Sequence, residues 1–386
     1  MRGETAPKVG PTRRDVLVGA IAGIAGAAGG GIAVWNYTGA TAVPSATELA
    51  PTPETTPLVE PMGRTQAGIA RPRTPQRAGH LLVADIDDSD PREWLAALGA
   101  EIVSATQADA AAPDGSRDLT VTVGLGPTLI SSIDATLPGA EALPAFLGDD
   151  AIPAARNGGD LLLGAYATDP GVVRPTLHEL VRRIPGVTIR WEQALFRSPG
   201  EGMRVRNPLG FHDGVIVPTS ETELDENVWI GDGPLAGGTI CVIRRLRLRA
   251  DEFRGLPVAQ QERIIGRSRI DGAPLTGGGP DAEVALAART PEGDPIIDSH
   301  AHVRAAHPSF TGSHLMLRRG YAFDDGDGDA GLMFVCFQRD LRTFVATQHR
   351  LDELDALAAF STPTASGTFL ILPGFDAEHP LGSVLP

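Results

Sequence analysis

Between residues 81 and 196 the chain alternates short apolar runs with amphipathic segments in a fixed order. The apolar runs predict four strands, because their residues alternate in polarity or are bounded by turn-forming residues. The amphipathic segments predict one helix between the first two strands and one between the last two. Strands are expected at 81–86, 118–124, 160–166 and 187–196, and helices at 91–105 and 171–184. This is the order of a ferredoxin-like α+β unit.

After Pro199 and Gly200 the same kinds of segment start again. Strands are expected at 239–248, 315–323, 331–337 and 368–372, helices at 257–267 and 341–360, and a loop at 277–294. The second series predicts another α+β half with antiparallel strands and peripheral helices. We therefore expect two ferredoxin-like halves in one chain, at 64–205 and 206–386.

Two short regions about ninety residues apart carry the side chains best suited to catalysis. The first is the glycine-bounded turn Gly210–Gly214, which contains Asp213. The second is the histidine-rich stretch Ser299–Pro308, soon followed by the two adjacent arginines of Leu317–Gly320. Taken alone, the clustered histidines are candidates for a haem ligand or for a zinc site: His300, His302, His307 and His314.

The ordered set of motifs resembles the dye-decolorizing peroxidases. In that family a GxxDG turn precedes a histidine whose sixth following residue is proline, and an Arg-Arg-Gly or similar run comes next. Gly210–Gly214, His302 with Pro308, and Arg318 stand in this order. Further stretches that look like the family are Gln66–Ile69, Leu119–Pro127, Gly158–Leu161, Ile265–Arg267, Phe337–Asp340 and Leu372–Gly374. The resemblance implies a duplicated ferredoxin-like fold of the dimeric α+β barrel type, with haem beside the second sheet.

The resemblance also implies which residues hold the haem. His302 is the expected axial ligand of the iron, because the proline spacing singles it out among the four histidines. A haem-bound imidazole usually donates its other N–H to a carboxylate or carbonyl. Asp355 is the expected partner and Asp352 the alternative. Arg267 is expected to meet a haem propionate.

Asp213 is expected to act as the distal acid–base group that relays a proton between the two oxygens of hydrogen peroxide. Gly214, with Gly210, would let the backbone approach the haem closely. Arg318 is the expected distal arginine, whose fixed charge stabilises developing negative charge. Arg319 is the alternative, and in a strand the two would point to opposite faces, so only one can face the haem.

These roles predict a haem b peroxidase that reduces hydrogen peroxide while it oxidises phenolic, dye-like or other bulky reductants. One non-covalent haem per chain is expected, since the sequence contains no C-x-x-C-H motif for covalent attachment. A haem-binding protein of the deferrochelatase type, which releases iron from haem, is the alternative. A chlorite-converting enzyme and a non-haem binding module are two further readings. Trp191, Trp229 and Tyr321 could relay radicals to the surface, although core packing explains them as well.

The first 63 residues have the composition of an export signal and a tether. Arg13 and Arg14 precede an uncharged, glycine-rich run, which favours the twin-arginine translocation route for folded proteins. Residues 1–42 are therefore predicted to be a signal peptide, with a membrane anchor as the alternative, and 43–63 a flexible linker. We expect the translocation machinery as a partner and a periplasmic, cell-envelope or extracellular location.

Charge and cysteine content set two further limits. The formal net charge of −15 argues against nucleic acid as a natural partner. The two cysteines, Cys241 and Cys336, lie in apolar runs and are expected to be buried thiols, with one disulfide as the alternative. A homo-oligomer is compatible with exposed sheet edges, and the sequence leaves the oligomeric state open.

Overall fold

Nine strands form one antiparallel sheet in the computed structural model, which describes residues 58–87, 90–112, 115–200 and 202–386. Its strands are β1 (Ala78–Ile86), β2 (Thr120–Leu125), β3 (Leu161–Ala167), β4 (Val187–Phe196), β7 (Thr239–Leu248), β8 (Leu317–Arg318), β9 (Tyr321–Asp324), β10 (Ala330–Gln338) and β11 (Ser361–Ile371). A separate hairpin contains β5 (Val205–Arg206) and β6 (His212–Asp213). The predicted signal peptide and the linker up to residue 57 lie outside the described residues.

Eight α-helices accompany these strands in the described part of the chain. They are α1 (Pro91–Ala111), α2 (Pro127–Asp134), α3 (Pro170–Val181), α4 (Glu221–Asn227), α5 (Ala250–Gly255), α6 (Val258–Ile265), α7 (His302–Ala305) and α8 (Leu341–Leu354). Short 3₁₀ turns occur at Asp149–Ala151, Ala154–Arg156, Pro308–Phe310 and Ala356–Phe360.

The strand order repeats between the two halves. In the first half the order across the sheet is β4-β1-β3-β2, and in the second it is β11-β7-β10-β9. β8 and β9 both pair with β10 and are counted here as one broken strand. Numbered within each half in this way, both orders read fourth, first, third, second, which follows from two strand–helix–strand units paired side by side. The prediction of duplicated ferredoxin-like units is confirmed.

The two half-sheets join at both edges and close into a ring of eight strands. β11 pairs with β2 through Leu370 and Leu125, and β4 pairs with β9 through Phe196 and Ala322. Side chains that point inward form one apolar cluster, which includes Trp191, Tyr166, Phe323, Phe337 and Phe369. The opposite face of the sheet packs against residues of α1, α3 and α8. Closure leaves few free edges in the hydrogen-bonded ladder.

Helix ends are set by local capping. Asp90 accepts a hydrogen bond from the N–H of Arg92 at the start of α1, and Asp340 accepts one from Arg342 at the start of α8. Both helices bury one face against the sheet, as the 3.6-residue period predicts. α8 ends at Leu354, and the next residue, Asp355, caps the 3₁₀ turn that follows.

Several element predictions differ from the structure. The helix expected at 91–105 continues to Ala111 as α1. The helix expected at 257–267 is α6, and an additional helix, α5, precedes it. Pro257 separates the two helices because a proline ring clashes with a helical residue before it. The strand expected at 315–323 is divided into β8 and β9. The helix expected to reach 360 becomes a 3₁₀ turn after 355, and β11 begins seven residues earlier than the predicted 368.

The two cysteines lie on neighbouring strands but on opposite faces of the sheet. Cys241 stands opposite Phe337 in the ladder, whereas Cys336 stands opposite Val242. Since adjacent residues of a strand point to opposite faces, the two thiols belong to different apolar clusters, and both are free and buried. No helix from residue 58 onward, as far as it is described, is long and apolar enough to span a bilayer.

Candidate active site

His302 is the first residue of α7, and the buried carboxylate of Asp355 holds its side chain. Its Nδ1 lies 2.7 Å from Oδ2 of Asp355, whose side chain is only 6% exposed. The other oxygen, Oδ1, accepts the N–H of Leu357 at 2.9 Å. One carboxylate thus fixes the plane of the imidazole and the turn that follows α8. None of the described residues forms a hydrogen bond with Nε2 of His302, so this nitrogen is the one available to bind a metal ion.

Electrostatics favour a basic imidazole at this position. Burial disfavours the charged form and acts to lower the pKa of His302. The Asp355 carboxylate opposes burial through its charge and its hydrogen bond, and the pKa of His302 is raised. The charge of Asp213 also acts to raise the pKa of His302, and the charge of Arg318 acts to lower it.

The competing side chains named from the sequence have other contacts. His300 and His314 are exposed, and His307 caps the 3₁₀ turn at Pro308–Phe310 by accepting the N–H of Ser309. Asp352 accepts hydrogen bonds from the N–H of Leu147 and from Gln348. Among the described residues, no group of three or more histidine, cysteine or acidic side chains is arranged to hold a metal ion.

The turn Gly210–Gly214 contains β6 and positions Asp213, and residues 207–211 connect β5 to β6. Asn207 accepts the N–H groups of Leu209 and Phe211 with its side-chain oxygen, which tightens the turn. Phe211 is 1% exposed and anchors the turn in a small apolar cluster, 6.0 Å from the ring of Phe253.

Gly214 adopts a φ of +74°, and a Cβ there would collide with the carbonyl oxygen of Met203. The N–H of Gly214 donates to Oδ1 of Asp213 at 2.6 Å. Glycine is therefore required at this position for steric reasons, and the resulting turn directs the carboxylate of Asp213.

Arg318 lies across from Asp213. Its Nη2 is 3.9 Å from Oδ1 of Asp213, and its Nη1 donates to the carbonyl of Ile216 at 3.0 Å. Arg319 points the other way, is 2% exposed, and donates to the carbonyls of Ile69 and Pro72. Adjacent residues of a strand point to opposite faces, as expected. Arg318 therefore lies at the site, whereas Arg319 binds the first half of the chain.

Gly320 belongs to the Arg-Arg-Gly run but was given no role, and Leu332 was not singled out from the sequence, yet both lie near Asp213. A Cβ at Gly320 would be 3.3 Å from Cδ1 of Leu332 and 3.9 Å from Oδ2 of Asp213. Leu332 and Phe334 are half-buried and point to the same face of β10. The alternating pattern of β10 could have identified this apolar face, but the space left by the glycine depends on residues distant in sequence.

Arg267 is buried rather than placed in a surface ion pair. It is 5% exposed and its Nη1 donates to the carbonyls of Gly272 and Pro280 at 2.8 and 3.0 Å. Burial acts to lower the pKa of this guanidinium, and the nearby charge of Arg318 adds to the effect. Its contacts in the structure are with the loop after α6, and its contact with a haem propionate stays a prediction.

The chemistry of these donors fits haem. An imidazole with one nitrogen held by a carboxylate and the other free is suited to bind iron axially. The apolar strand face of Leu332 suits the flat macrocycle, and Arg318 with Asp213 supplies polar groups near that face.

Comparisons with known proteins agree with this chemistry. The family model described as Dyp-type peroxidase, N-terminal, matches residues 66–197, and the C-terminal model matches residues 204–376. A dye-decolorizing peroxidase of Thermobifida fusca is 38% identical over 66% of this chain and 64% of its own length, so the chain spans just under two thirds of that relative.

Two other relatives match over most of their length. The deferrochelatase of Escherichia coli K12 is 31% identical over 84% of this chain and 86% of that protein. The oxyferrous complex of DtpA from Streptomyces lividans superposes with a TM-score of 0.77 at 32% identity, over 87% of this chain and all of that one.

Proposed function

This chain belongs to the Dyp-type peroxidase family of haem enzymes, and from that premise we propose that it is a haem b peroxidase oxidising phenolic or dye-like reductants with hydrogen peroxide. The observation that carries the proposal is the facing arrangement of His302 with Asp355 and of Asp213 with Arg318. A proximal ligand with a tuned carboxylate partner and a distal acid–base pair are the two parts that peroxide reduction requires.

His302 would hold the cofactor through Nε2. Haem, when bound there, supplies the iron at which peroxide is reduced and to which the donor returns electrons. Asp355 accepts the Nδ1–H proton in a hydrogen bond of 2.7 Å, so it orients the ring and increases electron density on Nε2. Because Asp355 is almost completely buried, water does not compete for this bond.

Asp213 would take a proton from one peroxide oxygen at a carboxylate oxygen and return it to the other. Its Oδ1 already accepts the N–H of Gly214, which leaves Oδ2 for the proton. The guanidinium of Arg318 lies 3.9 Å from Oδ1, so it stabilises negative charge that develops beside it.

The test is a haem titration of the purified protein followed by turnover assays. A Soret band that saturates at one haem per chain, with donor oxidation only after peroxide is added, would support the proposal. His302→Ala should lose haem or retain it weakly, whereas His300→Ala, a matched neighbour that is exposed, should behave as the parent. A parent protein that binds no haem, or binds it without peroxide-dependent turnover, would contradict the proposal.

Release of iron from haem is the second candidate, because the Escherichia coli relative that matches 84% of this chain is named a deferrochelatase. Both functions use the same ligand and cannot be separated by haem binding. Incubation of the holoprotein under reducing conditions without peroxide, followed by chromatography of the extracted tetrapyrrole, separates them. Metal-free porphyrin as the main product would favour iron release, and intact haem would favour the peroxidase.

We also propose export by the twin-arginine route, with haem inserted before translocation. Support comes from Arg13 and Arg14 ahead of the uncharged run and from a cofactor that is held without covalent bonds. Replacement of both arginines by lysine should leave the holoprotein in the cytoplasm, as measured by cell fractionation. Unchanged export of that variant would refute the route.

A further inference from the structure

α7, the helix that begins at His302, is too short to be stable by itself. It has four residues, His302–Ala305, and the N–H of Ala306 closes its single turn on the carbonyl of His302 at 2.9 Å. The first turn of a helix fixes several residues for one hydrogen bond, so it is unfavourable unless other contacts stabilise it. The direction in which His302 presents Nε2 therefore depends on what holds α7 in place.

α8 and the residue after it hold α7 at both of its ends. At the first residue of α7, Asp355 bonds Nδ1 of His302. At the last residue, Nε of Arg350 donates to the carbonyl of Ala305 at 3.1 Å. The two segments run antiparallel, because the residue numbers of these contacts rise along α8 as they fall along α7. Asp355 and Arg350 therefore fix opposite ends of the short helix.

The other anchor of α7 is a long irregular segment. Nη2 of Arg304 donates to the carbonyls of Leu286 and Ile297, at 2.6 and 3.1 Å. Both acceptors lie between α6 and α7, where residues 266–301 form no helix and no strand longer than an isolated bridge. α8, by contrast, is a helix of 14 residues that packs against the sheet. The orientation of α7 therefore depends mainly on its contacts with α8.

The charge and the shape of Arg350 suit its place at the end of α7. The last carbonyls of an α-helix have no partner within the helix and carry partial negative charge. The Arg350 guanidinium satisfies one of them, the carbonyl of Ala305, and its charge is attracted by the others. It also lies over the ring of Phe310, 4.1 Å from the centroid, in the 3₁₀ turn that follows α7. One side chain of α8 thus holds both α7 and the turn after it.

We propose that Arg350 is a positioning residue for the axial ligand. This inference rests on the proposed haem site and deepens it. Arg350 holds the C-terminal end of α7, so that Nε2 of His302 keeps one direction relative to the carboxylate of Asp355. Without Arg350, α7 would pivot about the bond between His302 and Asp355, because one contact fixes a point and two contacts fix an axis.

The first test measures how firmly the haem-loaded chain holds its iron. Arg350→Met removes the guanidinium and keeps an unbranched apolar side chain. It should shift or broaden the iron–histidine stretching band and speed haem transfer to an excess of apomyoglobin by about 10-fold, a typical cost of losing support for a metal ligand. Arg342→Met is the matched control, because Arg342 belongs to the same helix, is 86% exposed and pairs with Asp340. It should leave both readouts at the parental values.

The second test uses hydrogen exchange of the haem-free chain, so its readout does not depend on the cofactor. In Arg350→Met, peptides that contain α7 should exchange faster in short labelling pulses, while peptides from β7 and β10 keep the parental rate. Arg350→Lys should recover part of the protection, since its ammonium can donate to the carbonyl of Ala305 but cannot stack on Phe310 as a guanidinium does.

Parental values of Arg350→Met in both tests would overturn the inference. Faster exchange of α7 together with β7 and β10 would also overturn it, because Arg350 would then stabilise the whole fold instead of one helix. A parent chain that binds no haem would contradict the proposed function, whereas exchange of the haem-free chain would still decide whether Arg350 holds α7.

Discussion

At the scale of single residues, the site depends on carboxylates whose two oxygens have different partners. Asp355 uses Oδ1 to cap a turn and Oδ2 to hold His302. Asp213 uses Oδ1 for the N–H of Gly214 and leaves Oδ2 free. In both residues one hydrogen bond already fixes the side-chain rotamer. The other oxygen can therefore act without the entropy cost of ordering the side chain during the reaction.

Asp355→Asn should therefore keep the turn and weaken the ligand. The amide can still accept the N–H of Leu357, but it is neutral and makes the His302 imidazole a poorer donor to iron. Loss of such a partner typically costs about 10–100-fold in metal affinity or activity. Haem dissociation rates and the iron–histidine stretching frequency would measure the effect.

Asp352→Asn is the matched control, since Asp352 lies three residues earlier and contacts Leu147 and Gln348 instead of the ligand. It should leave both readouts at the parental values. Equal effects of the two variants would mean that the Asp355–His302 bond has no special influence on the iron.

Asp213→Asn should keep haem and slow the reaction with peroxide. An asparagine is nearly the same size and can accept the Gly214 N–H, but it cannot take up a proton. Removal of a general acid–base group typically costs about 10²–10⁴-fold. Stopped-flow mixing of the ferric protein with peroxide gives the rate, and an unchanged melting temperature and haem content would show that the fold is intact. A parental rate would show that Asp213 is not the acid–base group.

At the scale of elements, α3 is joined to the sheet by one carboxylate with three partners. Glu192 of β4 accepts from Arg174 and His178 of α3, and it also bonds His80 of β1. The hydrogen bond from Arg174 is the largest cause that lowers the pKa of Glu192, to about 2, and the two histidines add to it. The charged form of Glu192 is thus stabilised in the folded state.

This geometry predicts a loss of stability in acid. A glutamate has a pKa of about 4.3 in the unfolded chain, so its lowered pKa in the fold contributes stability above that pH, and this contribution disappears as pH falls towards 2. Melting temperatures between pH 5 and 2 should fall more steeply for the parent than for Glu192→Gln, which has no such proton to bind. Glu179→Gln, on an exposed part of α3, serves as the control and should follow the parent. Parallel curves for the parent and Glu192→Gln would refute the assignment.

Local sequence patterns determined most of these elements. Residues 187–196 and 239–248 were predicted at both ends because their apolar runs are long and bounded by turn residues. The split between β8 and β9 was missed because a single glycine, Gly320, is the one local sign of the break. The early start of β11 depends on its pairing with β7, a long-range contact that no local pattern encodes. In the site, motif spacing supplied residue identities, but only the fold shows that Arg318 rather than Arg319 lies near Asp213 and that Asp355 rather than Asp352 contacts His302. Their roles stay predictions.

At the scale of the whole molecule, a segment of the first half reaches across to the second. Asp149 forms two hydrogen bonds with Arg244 of β7, at 2.6 and 3.0 Å, and both side chains are at least nine-tenths buried. The preceding Phe146 packs 5.7 Å from Phe344 of α8, and Leu147 donates its N–H to Asp352. The first half of the chain therefore holds α8 at two points, Phe344 and Asp352.

Asp149→Ala should destabilise the protein by about 3–5 kcal/mol, since it leaves the Arg244 charge buried without its partner. Asp150→Ala changes the exposed neighbour and should cost less than about 0.5 kcal/mol. Guanidinium unfolding followed by far-UV circular dichroism gives both values. Because the two halves share one closed sheet, near-UV and far-UV signals should change together in the parent. Equal midpoints for the two variants would show that the buried ion pair contributes little.

The opposite orientation of Cys241 and Cys336 has a consequence for where this protein can mature. Neither thiol can reach the other without breaking the ladder between β7 and β10. The folded chain therefore forms no disulfide between them after synthesis. The native state is therefore the same in a reducing cytoplasm and in an oxidising envelope. Export by the proposed twin-arginine route would therefore need no thiol oxidase, because the chain can fold and take up its cofactor before translocation without forming a disulfide.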